Sequence, residues 1–218
     1  ASRGARVALA ARSEDRLASI AADLETEYGA ETLVVPTDVR DEAAVEELID
    51  TVVAEWDGLD VLVNNAGLGR GDDVADLSTE DYRAMMDTNV DGVFFATRAG
   101  LPHLAESDGN LIFVGSFAGQ YPRPGNPVYS ATKWWVRGFA HGVEGQSGPD
   151  GVGVTVVNPT EVRTAFGGDD GDSFEKRFEP GEVSEPEEIA DAIGFAAAQD
   201  HSTVHEIDVY RRDKFEGW

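Results

Sequence analysis

Short apolar runs alternate along the chain with longer segments whose apolar positions recur every three to four residues. The runs are "RVALAA" (6–11), "TLVVPTDV" (32–39), "LDVLVNNAG" (59–67), "NLIFVGS" (110–116), "GVTVVNP" (153–159) and "VHEIDVYRR" (204–212). They read as strands, and the segments between them as helices near 14–28, 42–56, 79–105, 127–145 and 186–199. Ser13 and Gly29 bracket the first helix, Asp41 caps the second, Ser78 with Asp81 resembles a capping box, and Ser184 with Glu187 starts the last. Strands apolar on both faces, alternating with helices, imply right-handed βαβ units and a parallel sheet covered on both sides. The expectation is a single-domain α/β fold, a Rossmann-like doubly wound sheet in three α/β/α layers. Only 167–182 lacks periodicity, and it reads either as a lid or binding loop or as a solvated acidic loop.

Composition narrows the function classes. With 218 residues the chain can bury one sizeable core. It has no cysteine, which removes disulfides, thiolate metal sites and a Cys nucleophile. The four His show no metal-ligand spacing, so no metal is expected. No apolar run approaches the roughly 20 residues of a membrane span, and a cytoplasmic protein is expected. Asp and Glu number 42 against 17 Lys and Arg, a net charge of −25, which disfavours nucleic acid and anionic membranes as partners. Acids spread along the whole length suit a salt-adapted surface, and the plainer alternative is an acidic mesophilic protein.

Candidate chemistry gathers where the strands end, since ligands of open parallel sheets sit beyond the strands' carboxyl ends. Those ends carry Arg12, then Asp38 and Val39, then Asn64, Asn65, Ala66 and Gly67, then Ser116, then Asn158 and Pro159. Thirteen residues after Ser116, "YSATK" places Tyr129 and Lys133 one helical turn apart on one face. Alone, that pair is a weak signal, because a Tyr packed on a Lys stem is common on amphipathic helices. Together, "NNAG" (64–67), Asn89 in "TNV", Ser116 in "VGS" and "YSATK" (129–133) resemble the short-chain dehydrogenase/reductase family, in that order along essentially the whole chain.

The resemblance implies hydride transfer between a nicotinamide and a small carbonyl or secondary alcohol. Reduction leaves an alkoxide that needs a proton. Tyr129 is the implied general acid and base, its pKa of about 10 lowered by Lys133 and oxidised nicotinamide. Ser116 aims and polarises the substrate oxygen. Lys133 also holds the nicotinamide ribose, and Asn89 either holds a water for proton resupply or merely kinks its helix and satisfies backbone.

Arg12 ends what would be the second strand, where an Arg can pair with a 2′-phosphate, so NADP(H) is favoured; the alternatives are an edge cap or a stack on adenine. Asp38 and Val39 should meet adenine, Asn65, Ala66 and Gly67 the adenosine ribose, and Pro159, Val162 and Thr164 the nicotinamide side. The family usually has Pro-Gly where this chain has Pro159-Thr160. One of Trp134 and Trp135 should pack inward while the other faces out, and a homodimer or homotetramer through this helix and its predecessor is implied. If 6–11 is the second strand, the first strand and its glycine-rich turn should precede it, with Gly4 ending the tail of the first helix or marking a splice. An empty slot between strands would follow. The competing functions are a silent dinucleotide-binding regulator and a sugar-nucleotide epimerase or dehydratase; the intact Ser, Tyr and Lys argue against the first, and the lack of a larger C-terminal substrate region against the second.

Overall fold

A computed structural model describes residues 1–71, 73–168 and 172–216. Among the described residues six strands, β1 (Val7–Ala11), β2 (Thr32–Pro36), β3 (Val61–Asn64), β4 (Asn110–Val114), β5 (Gly153–Pro159) and β6 (Glu206–Val209), are all parallel in their pairings. The helices are α1 (Glu14–Tyr28), α2 (Glu42–Trp56), α3 (Thr79–Met86), α4 (Gly92–Glu106), α5 (Pro127–Ser147), α6 (Phe174–Arg177) and α7 (Pro186–Ala197). The result is one three-layer α/β/α unit of Rossmann type. No helix among the described residues is long and apolar enough to cross a membrane.

β4 is the core strand, and its alternation decides the layering. Leu111 and Phe113 point into a cluster with Val93, Val136, Ala140, Val154 and Val156 under α4 and α5, while Ile112 joins Val157, Ile189 and Ala196 under α7. The sheet is broken once: β1 pairs with β2, β3 to β6 form a second ladder, and none joins β1 to β3 among the described residues. Helix α2 packs on α4 and ties the two parts together. Near the start of the chain, Gly4 has φ 83° and its N–H donates to the Ala1 carbonyl at 2.8 Å, closing a turn.

Three local readings change. The helix expected over 79–105 is α3, a π-helical segment Asp87–Asp91 and α4. At the start of α4 a Cβ on Gly92 would lie 2.8 Å from Val39 Cγ2, a tertiary contact that helical periodicity does not report. The last helix is capped by Glu185, not Ser184: Glu185 and Glu188 form the reciprocal capping box. Ser13 occupies the N-cap of α1 without a side-chain bond, whereas Asp41 and Ser78 cap as expected, accepting from Ala43 and Ala44 and from Asp81. In the long acidic connection residues 169–171 lie outside the described residues; beyond them Phe174 is buried and α6 forms.

Candidate active site

Within each of the two ladders the strand-end residues singled out above lie at the same end, because the paired strands run parallel. Beyond β4, Ser116 is extended and caps a 3₁₀ turn, Phe117–Gly119, accepting from Ala118 N at 3.1 Å. Gly115 lets the strand pass: a Cβ there would lie 2.3 Å from Asn158 Oδ1 and 2.9 Å from Val156 Cγ1. Helix α5 starts at Pro127, with Asn126 Oδ1 accepting from Tyr129 N at 3.2 Å. It is stitched to the turn by Ser130 Oγ donating to Ala118 O at 2.8 Å and Lys133 Nζ donating to Val114 O at 2.8 Å. These bonds fix which face of α5 meets the end of β4.

Ser116, Tyr129 and Lys133 are thereby brought together. The Ser116 hydroxyl lies near enough to the Tyr129 phenol to favour its ionised form, and Lys133 Nζ lies 5.9 Å from the Tyr129 ring centroid. The electrostatics differ from expectation. Burial pushes the phenol above its ordinary value of 10, opposed by the nearby Ser116 hydroxyl and the charge of Arg123; Lys133 is not among the opposing groups. Burial also lowers Lys133 itself from 10.5 to about 8. Desolvation outweighs the ammonium because that ammonium is buried too and aimed at a backbone carbonyl.

Asn89, in the π-helical segment, is almost fully buried. Its Oδ1 accepts from Leu68 N at 2.9 Å, and its Nδ2 donates to Leu68 O at 2.8 Å and Thr132 Oγ1 at 3.1 Å. Both amide protons are used, so the side chain satisfies backbone and keeps only an Oδ1 lone pair for a water. A Cβ on Gly67 would sit 3.4 Å from that Oδ1 and 3.6 Å from Lys133 Nζ, so bare backbone faces both groups.

On the dinucleotide side Arg12 is exposed beyond β1, and its charge reaches Asp38 beyond β2. The Asp38 carboxylate is gripped by Arg40, whose Nε donates at 2.9 and 3.1 Å, and this bond holds its pKa below the usual range. Asn65 and Ala66 are exposed beyond β3, Pro159 is buried at the end of β5, and Val162 and Thr164 are half-buried in the loop that follows. Val162 bridges Ser184 there.

Six residues escaped the sequence reading. Phe166 lies 5.7 Å from the Tyr129 ring and continues through Phe174, at 5.6 Å, to Phe178, at 5.8 Å. Gly69 makes this cover possible, since a Cβ would lie 3.0 Å from Phe166 Cζ and 3.2 Å from Tyr129 Cδ2. Arg40 and Arg123 complete the set. The apolar spacing 166, 174, 178 within an acidic loop was the available signal for the cover.

The His residues are less dispersed than their spacing suggests: ligand atoms of His141, His205 and Glu206 lie within 4.8 Å of one another, and the two rings stack at 4.5 Å. Glu206 is already engaged, with His141 Nε2 at 2.7 Å and Arg137 Nε at 2.6 Å on Oε1 and Gln120 Nε2 at 3.2 Å on Oε2. A guanidinium already balances the carboxylate charge that a cation would need. Of the adjacent tryptophans, Trp135 stacks on Phe139 at 4.7 Å and Trp134 is exposed, the division expected of neighbours on a helix.

A short chain dehydrogenase family model matches residues 1–173. The chain belongs to the short-chain dehydrogenase family. Among its short-chain dehydrogenase relatives, an NADP-dependent 3-hydroxy acid dehydrogenase of Salmonella typhi is 38% identical over 202 residues, spanning 89% of this chain and 79% of that protein. An uncharacterized oxidoreductase of Staphylococcus aureus is 34% identical over 208 residues, 94% of this chain and 86% of that one. Of solved structures, an alcohol dehydrogenase from the archaeon Thermococcus sibiricus complexed with 5-hydroxy-NADP aligns with a TM-score of 0.87 at 30% identity, covering 96% and 87% of the two chains. A serine dehydrogenase in a closed form with NADP⁺ aligns at 0.84 and 32% identity, covering 96% and 86%.

Proposed function

We propose that this short-chain dehydrogenase is an NADP(H)-dependent oxidoreductase interconverting a carbonyl and a secondary alcohol, with Tyr129 as general acid and base. The observation that carries the reading is the buried grouping of Ser116, Tyr129 and Lys133 at the end of β4, with Lys133 Nζ held by Val114 O and 5.9 Å from the Tyr129 ring centroid. The residues fit the dinucleotide: bare backbone at Gly67, exposed Asn65 and Ala66, and an Arg12 that reaches no carboxylate within salt-bridge distance among the described residues. Relatives named for NADP or solved with it support the same choice. Bound there, NADP(H) would supply the hydride chemistry of the reaction.

The chain's residues manage the oxygen and its proton. Ser116 orients the substrate oxygen by a hydrogen bond, and Tyr129 donates its phenolic proton to that oxygen in reduction and removes it in oxidation. Lys133, lowered by burial to about 8, keeps an exchangeable proton close to the ring at neutral pH. Asn89 fixes the loop at Leu68 against α5, and Phe166 shields the phenol from water. Arg123, whose positive charge is felt at Tyr129, favours a substrate bearing an anionic group. Two relatives named for 3-hydroxy acid and serine oxidation agree with an acid substrate. The exposed Phe94 on α4 and Trp134 on α5 support pairing of two copies through these helices.

The test is turnover of 3-hydroxy acids and uncharged secondary alcohols with NADP⁺ and NAD⁺, at low and molar KCl. Tyr129→Phe is expected to lower kcat by about 10²–10⁴. Arg123→Gln is expected to raise KM for acids and not for uncharged alcohols. Full activity in Tyr129→Phe overturns the mechanism, and binding of NADPH without turnover of any member of the panel favours the silent regulator.

A further inference from the structure

Residues 210–216 fold back against the site. Lys214 Nζ donates to Glu161 Oε1 at 2.8 Å and Oε2 at 3.1 Å, with side chains only 11% and 14% exposed. The same ammonium sits 4.5 Å over the ring of Phe117, the residue next to Ser116. Tyr210 and Phe215 contact that ring at 5.3 and 6.0 Å, and Tyr121, at the end of the same turn, stacks on it at 4.5 Å.

A second set of bonds reaches the other wall. Thr160 N donates to Val209 O at 3.1 Å, and Thr160 Oγ1 accepts from Arg211 N at 3.0 Å. The hydroxyl at 160 thus ties the tail to the loop that runs on to Phe166. Glu161 anchors two of the three basic residues of the tail, Lys214 and Arg211, the latter with Nε 3.9 Å away, and although burial opposes its charge these cations keep its pKa below the usual carboxylate value.

We propose that the C-terminal segment 210–216 is a clamp holding the turn after Ser116 against the loop after β5, with Lys214 as a positioning residue that sets the Ser116 hydroxyl opposite Tyr129. This rests on the catalytic reading of Ser116 and Tyr129 above. Lys214 touches neither; it ties the Glu161 carboxylate to the Phe117 ring across the tail. An apolar side chain could fill the same space without making that link.

The experiment compares Lys214→Met, Lys214→Arg, the double variant Lys214→Met with Glu161→Gln, and Ser116→Ala in the full chain. Lys214→Met should lower kcat about tenfold to a hundredfold with little change in KM for NADPH, the scale of loss expected from a small misplacement. Lys214→Arg, which keeps both contacts of the cation, should recover most of it. The double variant leaves no lone buried charge, so its thermal midpoint should return toward the parent while kcat stays low, a split that loss of stability alone does not produce. Amide exchange should quicken over 116–121 and 160–164 and stay slow in β4. Parental kcat in the double variant, or unchanged exchange over 116–121 in Lys214→Met, overturns the clamp. Parental kcat in Ser116→Ala overturns the catalytic reading instead, and exchange still decides whether the tail holds the turn.

Discussion

Lys133 costs the fold stability, and the cost has a pH signature. Its lowering from 10.5 to about 8 comes from burial and, at about 1.4 kcal/mol per unit, amounts to about 3 kcal/mol against the charged form. The bond to Val114 O offsets about 1 kcal/mol. Lys133→Met, similar in length and without charge, should therefore stabilise the protein at neutral pH by about 2 kcal/mol, or about 4–8 °C for a chain of this size. Below pH 8 folded and unfolded states are both protonated at this residue, so the full cost is present. Between 8 and 10.5 the unfolded state holds the extra proton, so the parent gains stability as pH rises and the variant does not. The gap should close near pH 10.5. Differential scanning calorimetry of both proteins at about pH 6.5, 9 and 10.5 measures it, and the comparison cancels the repulsion among the shared acidic residues. A variant less stable than the parent at pH 6.5, or a gap that does not change with pH, refutes the reasoning. The same substitution should abolish most turnover if Lys133 serves the reaction as proposed, a direct opposition of stability and function.

Gly115→Ala should destabilise by about 1–3 kcal/mol in a urea titration and lower kcat, because its Cβ would lie 2.3 Å from Asn158 Oδ1 and the strand end carrying Ser116 must shift. Glu206→Gln should cost about 1 kcal/mol near neutrality, seen as a lower urea midpoint. Burial opposes the Glu206 charge, but Arg137 and His141 prevail and its pKa is lowered, so that stability is present above the ordinary 4.5 and lost as pH falls through the folded value; the difference between parent and variant should vanish there. Arg12→Ser should reduce the NADPH over NADH preference in kcat/KM by about tenfold or more, the worth of a charged hydrogen bond. An unchanged ratio returns Arg12 to a sheet-edge cap or an adenine stack.

The parts of the molecule legible in the sequence are those set by short-range periodicity. Alternation within "NLIFV" placed Leu111 and Phe113 opposite Ile112, and the four-residue spacing of Tyr129 and Lys133 put both on the face of α5 that meets the end of β4. What escaped depends on partners far along the chain. Nothing local to Thr79–Glu106 announces the π-helical segment, because the contact that marks its end is Gly92 against Val39. His141 and Glu206 are 65 residues apart, and Lys214 and Glu161 are 53 apart, so neither pair has a spacing to read. The reversal at Tyr129 has a different origin. Charge proximity was readable from one helical turn, but the sign of the shift depends on how completely β4, the 3₁₀ turn and Phe166 exclude water from the phenol and the ammonium alike. A sequence shows which charges can meet; whether their meeting outweighs burial is decided by the packing around them, and the pH dependence of Lys133→Met measures that balance directly.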